Sequence, residues 1–204
     1  MSLVLIGPYG VGKTTLARLV AEQLSLPRYS LDELASNYSE GIEDCAGAAL
    51  TSQPAYDSAA LEERHVYLVT TFLNEHADEA SILDLGAGHA LFSEDNIERV
   101  SSSFDNHFVV LLMPSNEPAD CHRYLARHNG LHPEKSTKPH LAWNRYFLAH
   151  TSPALLADSV VYLKERTPTE VAMEIVNLIK LASPNKSLNS SALTRAVNCD
   201  VGRR

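Results

Sequence analysis

Gly7-Pro8-Tyr9-Gly10-Val11-Gly12-Lys13-Thr14 reads G-x-x-x-x-G-K-T. This is the pattern of a loop that wraps phosphate groups, and it constrains the chain more than any other stretch. Leu3-Val4-Leu5-Ile6 before it is a short apolar run suited to a buried parallel strand. Leu16, Leu19, Val20 and Leu24 after it recur at helical spacing. Gly7, Gly10 and Gly12 leave the backbone N–H groups free to converge on phosphate oxygens, and a helix starting near Lys13 adds the positive end of its dipole. In this setting Tyr9, Val11 and Thr15 complete the nucleotide cradle, Lys13 reaches the β- and γ-phosphates, and Thr14 ligates Mg²⁺. ATP and Mg²⁺ are therefore the expected cofactors.

The 204 residues suffice for one α/β domain with a full core. A net charge of −8 argues against nucleic acid or an anionic membrane as the main partner. No run is long enough to span a bilayer, and the first residues lack the basic, then apolar, form of a signal peptide. Cys45, Cys121 and Cys199 are few, odd in number and far apart, which predicts reduced thiols in a cytoplasmic protein. Nothing demands more than a monomer or weak dimer.

Pro27 ends the first helix, and Arg28-Tyr29-Ser30-Leu31 reads as a second strand. It delivers Asp32 to the carboxyl edge of the sheet, where ligands bind. Asp32 could hold Mg²⁺ through water, accept a proton from a substrate hydroxyl, or simply start the next helix. Residues 36–56 carry no regular period and read as a substrate flap. A long helix follows through Leu61, His65, Leu68 and Phe72, with His65 read as a packed core residue.

Ser81 to Leu85 is the third strand, followed by a glycine turn, Gly86-Ala87-Gly88. Asp84-Leu85-Gly86-Ala87-Gly88 also resembles the opening motif of S-adenosylmethionine methyltransferases, but Ala90 stands at the third glycine and the first strand already carries a phosphate loop. Ser93 caps a short helix; His107–Met113 is the fourth strand; Pro118 opens a helix carrying Arg123 and Arg127. The polar, basic segment 129–140 reads as a lid. Ser159 to Leu163 is the fifth strand, and Thr167-Pro168-Thr169-Glu170 is a capping box opening the last helix. Residues 183–204, rich in Ser and Asn, read as a flexible tail behind a domain spanning 1–182.

The order of these parts resembles the shikimate kinase group of P-loop small-molecule kinases, from Leu3 to about Leu181. The resemblance implies a three-layer α/β/α fold with a five-stranded parallel sheet in the order 2-3-1-4-5 and a lid. Gly86-Ala87-Gly88 falls on the family's pocket-lining glycines, Lys138-Pro139-His140-Leu141 on its lid motif, and Ala157-Asp158 on the pair before its last strand. Ser30 replaces the first aspartate of the family's D-x-D, leaving Asp32 as the second, and Lys138 replaces the lid arginine. Asp57 and Thr151 fall where arginines hold the carboxylate of shikimate. An aspartate repels that carboxylate, so shikimate is not the expected acceptor.

The expectation is an ATP-dependent phosphotransferase acting on a small hydroxylated molecule or nucleotide. Lys13, Asp32, Arg127 and Lys138 would be catalytic, Arg123 would lie near the base, and Asp32, Asp57, Gly86, Ala87 and Gly88 would line the acceptor site. The alternative is an ATP-binding module without turnover, serving as a sensor or partner-binding domain.

Overall fold

In the computed structural model, residues 1–38, 59–130 and 138–182 are described. The strands are β1 (Ser2–Ile6), β2 (Arg28–Ser30), β3 (Ile82–Asp84), β4 (His107–Met113) and β5 (Ser159–Tyr162). All pair in parallel in the order β2-β3-β1-β4-β5. Each crossover carries helix, α1 (Lys13–Leu24), α2 (Leu31–Leu34), α3 (Ala59–Glu75), α4 (Glu94–Phe104), α5 (Pro118–Gly130), α6 (Lys138–Ala149) and α7 (Ser152–Leu156), and α8 (Pro168–Ala182) follows the last strand.

Alternation along the central strands builds two cores. Leu3 and Leu5 of β1, with Val110 and Leu112 of β4, face α1 and α8. Val4 and Ile6, with Val109 and Leu111, face α3 and α4, where Phe72 and Phe104 are fully buried. Because side chains alternate with period two, β1 is buried at every position and apolar from Leu3 to Ile6, as a strand covered on both faces must be. The α/β/α sandwich follows directly.

Local signals act as their chemistry requires. The Thr167 N–H donates to Glu170 Oε2 at 2.7 Å and the Glu170 N–H returns to Thr167 Oγ1 at 3.3 Å, a closed capping box at the head of α8. Asp158 ties the start of β5 to β4: its Oδ2 accepts from Val109 N–H at 2.8 Å, and its N–H donates to Val109 O at 2.9 Å.

Several boundaries differ from the sequence reading. Leu31 begins α2 rather than ending β2, and Ser81, Leu85 and Leu163 flank their strands instead of joining them. The glycine turn is a 3-10 turn over Ala87–Ala90. Ser93 stands at the N-cap of α4 but its side chain makes no capping bond; the Ser93 N–H is taken by Glu62 of α3 at 2.5 Å. Of the lid span, 129–130 close α5 and 138–140 open α6, while 131–137 lie outside the described residues. So do Asp57, most of the flap, and the tail 183–204.

Candidate functional site

The carboxyl ends of β1, β2 and β3 meet at one edge because Ser30 of β2 and Leu5 of β1 both stand in register with Asp84 of β3. The chain leaving β1 must turn at once past β4. At Gly7 a Cβ would stand 2.6 Å from Leu112 O, so only glycine fits this close approach. Gly10 and Gly12 take φ values of 77° and 102°, and Gly12 caps α1 in the left-handed region. The loop is thereby folded over the N-terminus of α1, which has no acidic residue in its first turn and presents its N–H groups to an anion.

Lys13 is only 9% exposed. Its Nζ donates to Gly7 O at 2.9 Å and Pro8 O at 3.1 Å, so the ammonium is held by the loop it serves. Burial pulls its pKa down, while Asp84 and Asp32 oppose that pull. The loop is also gripped from outside. The Asn144 side chain on α6, 3% exposed, accepts from Tyr9 N–H at 2.8 Å and donates to Tyr9 O at 3.0 Å.

Asp84 is the residue the sequence reading missed. It ends β3, is 3% exposed, accepts a hydrogen bond from Thr14, and has Arg28 Nη1 at 3.9 Å. Burial raises its pKa; Lys13, Thr14 and Arg28 favour the carboxylate, and the negative charge of Asp32 works against it. A carboxylate beside the loop threonine is the pair that holds Mg²⁺ in P-loop proteins. The signal was present in sequence as an apolar run ending in aspartate, Ile82-Leu83-Asp84, but the following glycines drew attention to the turn instead. Among the described residues no three His, Cys, Asp or Glu form a metal cage. Mg²⁺ needs none, since it keeps most of its waters and leans on one or two carboxylates and phosphate.

Asp32 lies in the first turn of α2, with Ser30 at the N-cap, so capping is not its role. Its side chain stands open to solvent across the mouth of the site. The protein mass behind it still raises its pKa, with Lys13 and His65 pulling down and Glu33 pushing up. Gly86 makes room for it: a Cβ there would fall 2.2 Å from Asp32 Oδ1. Beyond Asp32 sits a histidine pair. His89 Nδ1 is 3.5 Å from Asp32 Oδ1 and is buried without a hydrogen-bond partner. His65 packs edge-on against His89, ring centroids 5.1 Å apart. Burial pushes His89 down to about 4 and His65 down to about 3, so both rings are neutral at pH 7. His65 is thus no core residue: it lines a cavity with Glu62, Trp143 and Tyr146.

The structure therefore brings together Lys13, Thr14, Asp32, Gly86 and Asp84, with Gly88 beside them: a Cβ on Gly88 would meet His65 at 3.3 Å and Trp143 at 3.5 Å. Thr15 is exposed on α1 and Ala87 lies in the 3-10 turn. Arg123 is 61% exposed, held by Asp120 at 2.7 Å, and Arg127 is exposed on α5. Neither touches the Lys13–Asp84 group through any described contact. Lys138 begins α6, with its side chain outside the described set.

Known proteins agree with this frame. Residues 3–53 match the family described as ATPase family associated with various cellular activities (AAA). The chain is 29% identical over 138 residues to the pentafunctional AROM polypeptide of Schizosaccharomyces pombe. That stretch is 68% of this chain but 8% of the relative, so the chain spans a small part of that protein's length. Among solved structures, a shikimate kinase from Acinetobacter baumannii in complex with shikimate superposes with TM-score 0.57 at 18% identity, covering 88% of this chain and 93% of that one. A shikimate kinase from Bacteroides thetaiotaomicron gives TM-score 0.56 at 21% identity, covering 88% and 98%. A gluconokinase from Sinorhizobium meliloti 1021 gives 0.56 at 17%, covering 90% and 94%. The chain has the P-loop α/β fold that these kinases share, sheet order included.

Proposed function

We propose that the protein is an ATP-dependent phosphotransferase whose acceptor is a hydroxyl on a small molecule other than shikimate. The observation that carries this reading is the cluster of Lys13, Thr14, Asp84 and Asp32 at the mouth of the phosphate loop. A module that merely binds nucleotide needs the loop and the metal pair. It has no use for a second carboxylate standing free over the site, with a glycine clearing its space.

Each residue has a distinct task in this reading. Lys13 exchanges its loop carbonyls for phosphate oxygens. Thr14 and Asp84 are the residues that would hold Mg²⁺, which neutralises charge on the transferring group. Asp32 orients the acceptor and takes its hydroxyl proton as the oxygen bonds to the γ-phosphorus and ADP departs. A raised pKa makes Asp32 a better base than an ordinary aspartate. Among the described residues Glu62 lines the neighbouring cavity and no Lys or Arg does, which disfavours a carboxylate acceptor independently of Asp57 and Thr151. The acidic net charge supports a small-molecule acceptor rather than nucleic acid or membrane, in a cytoplasmic protein that is monomeric or weakly dimeric.

The test follows ADP release with Mg-ATP over hydroxylated acceptors: shikimate, gluconate, nucleosides, nucleoside monophosphates, hexoses and aminoglycosides. Release above the acceptor-free rate, lost in Asp32→Asn while nucleotide binding survives, supports the reading. Nucleotide binding with no acceptor-dependent release across the panel would shift the weight to a binding module.

A further inference from the structure

Between α3, α6 and the segment after the 3-10 turn lies a cavity of about 180 Å³. Leu61, Glu62, His65, Phe92, Trp143 and Tyr146 make up most of its wall. It is smaller than the ~300–1,000 Å³ typical of drug-sized sites, so it takes one ring or less. Its position ties it to the chemistry. His65 in its wall packs on His89, and His89 Nδ1 is 3.5 Å from Asp32 Oδ1. The two histidines thus link the cavity wall to the carboxylate that would receive an acceptor hydroxyl.

The wall has one charge pattern. Among the described residues Glu62 is its single carboxylate, and neither Lys nor Arg lines it. Burial works against ionising Glu62, yet hydrogen bonds from Ser93 and Asn96, with His150 nearby, hold its carboxyl below the usual range. The anion is thus preformed, and the bond from Ser93 N–H engages Oε1, leaving further lone pairs on the group. The indole of Trp143 and the phenol of Tyr146 in the same wall supply the aromatic surface to which cations are attracted. The positive charge of Arg64 acts on His65 and His89 but Arg64 is not in the wall, so beside Glu62 a carboxylate ligand would be repelled and a neutral sugar would gain no charge complement.

Resting on the phosphotransferase reading, we propose that this cavity seats the ammonium group of the acceptor. The substrate is then a hydroxylated amine, an amino sugar or amino alcohol, with its amine against Glu62 and its reacting hydroxyl toward Asp32.

Glucosamine, glucose and gluconate are close in size, each carries several hydroxyls, and they differ in charge. Their binding is measured by calorimetry on the full chain with a non-hydrolysable ATP analogue and Mg²⁺ present, and phosphoryl transfer is measured separately with Mg-ATP. Glucosamine is expected to bind about tenfold or more tightly than either analogue, the scale of a hydrogen bond to a charged group. Glu62→Gln keeps an oxygen for the Ser93 N–H and is expected to erase that preference at an unchanged melting temperature. Glucosamine binding no tighter than glucose or gluconate overturns the proposal, and so does a preference that survives Glu62→Gln. Glu62-dependent binding without any transfer would uphold the amine site while counting against the phosphotransferase reading.

Discussion

At the scale of single residues, the site depends on two positions that look structural in sequence. Gly86 has φ −60°, which alanine adopts without strain. Gly86→Ala should therefore fold normally and act through Asp32, whose carboxylate occupies the space of the new methyl group. A displacement on that scale should lower kcat about 100-fold with little change in nucleotide binding. Steady-state kinetics beside a nucleotide titration separate the two effects. Asp84→Asn keeps the shape but removes the charge that faces Thr14 and Lys13. Half-saturation by Mg²⁺ should rise on the order of 10–100-fold, read from ADP release against Mg²⁺ concentration; an unchanged Mg²⁺ dependence would remove Asp84 from the metal site. The loop residues were legible because their spacing is itself the mechanism. Asp84 was not, because one aspartate closing a strand is ordinary until the fold sets it beside Thr14. Glu62 was hidden differently: the apolar spacing of α3 defines its core face, and only contact with Ser93 and α6 shows where the polar side opens.

At the scale of elements, the phosphate loop is held by two partners rather than one. α1 receives it, and α6, the helix following the expected lid, clamps Tyr9 through the Asn144 amide across 135 residues of sequence. No local pattern announces such a contact, since Asn144 reads as a polar residue on a helix until α6 docks. Asn144→Ala strips both bonds from a backbone unit and should destabilise the protein by about 2 kcal/mol. It should also weaken ATP binding, because the loop's N–H groups lose their fixed aim. Chemical denaturation and a nucleotide titration check the pair of effects; a loss of stability without any loss of affinity would make the clamp purely structural. Helix and strand identities were largely readable, from the glycine loop to the Thr167–Glu170 box. The errors fell at element ends such as Leu31 and Leu85, where one backbone unit decides. The sheet order came from resemblance to a family, because strand adjacency is a long-range property that local periodicity does not encode.

At the scale of the whole molecule, the buried histidine pair gives the fold a pH signature. His89 has an ordinary value of 6.5 and is pushed down to about 4, so the unfolded chain takes up its proton first. The neutral ring's contribution is fully present above pH 6.5 and is lost as pH falls toward the folded value, by about 1.4 kcal/mol per pH unit. Asp84 and Asp32, raised by burial, work in the opposite direction at lower pH, so the histidine effect is best isolated by difference. The stability gap between the wild type and His89→Asn should shrink from about pH 6.5 to pH 4 in urea unfolding, and a gap independent of pH would show that His89 titrates alike in the folded and unfolded chain.

The central claim is that the phosphoryl group passes from ATP to an acceptor hydroxyl under Asp32. Mass spectrometry of the acceptor pool after incubation with Mg-ATP tests it most directly. The wild type should yield an acceptor heavier by one phosphoryl group, absent with Asp32→Asn. Bound ATP with every acceptor in the panel unmodified, or the same product formed at the wild-type rate by Asp32→Asn, would contradict it.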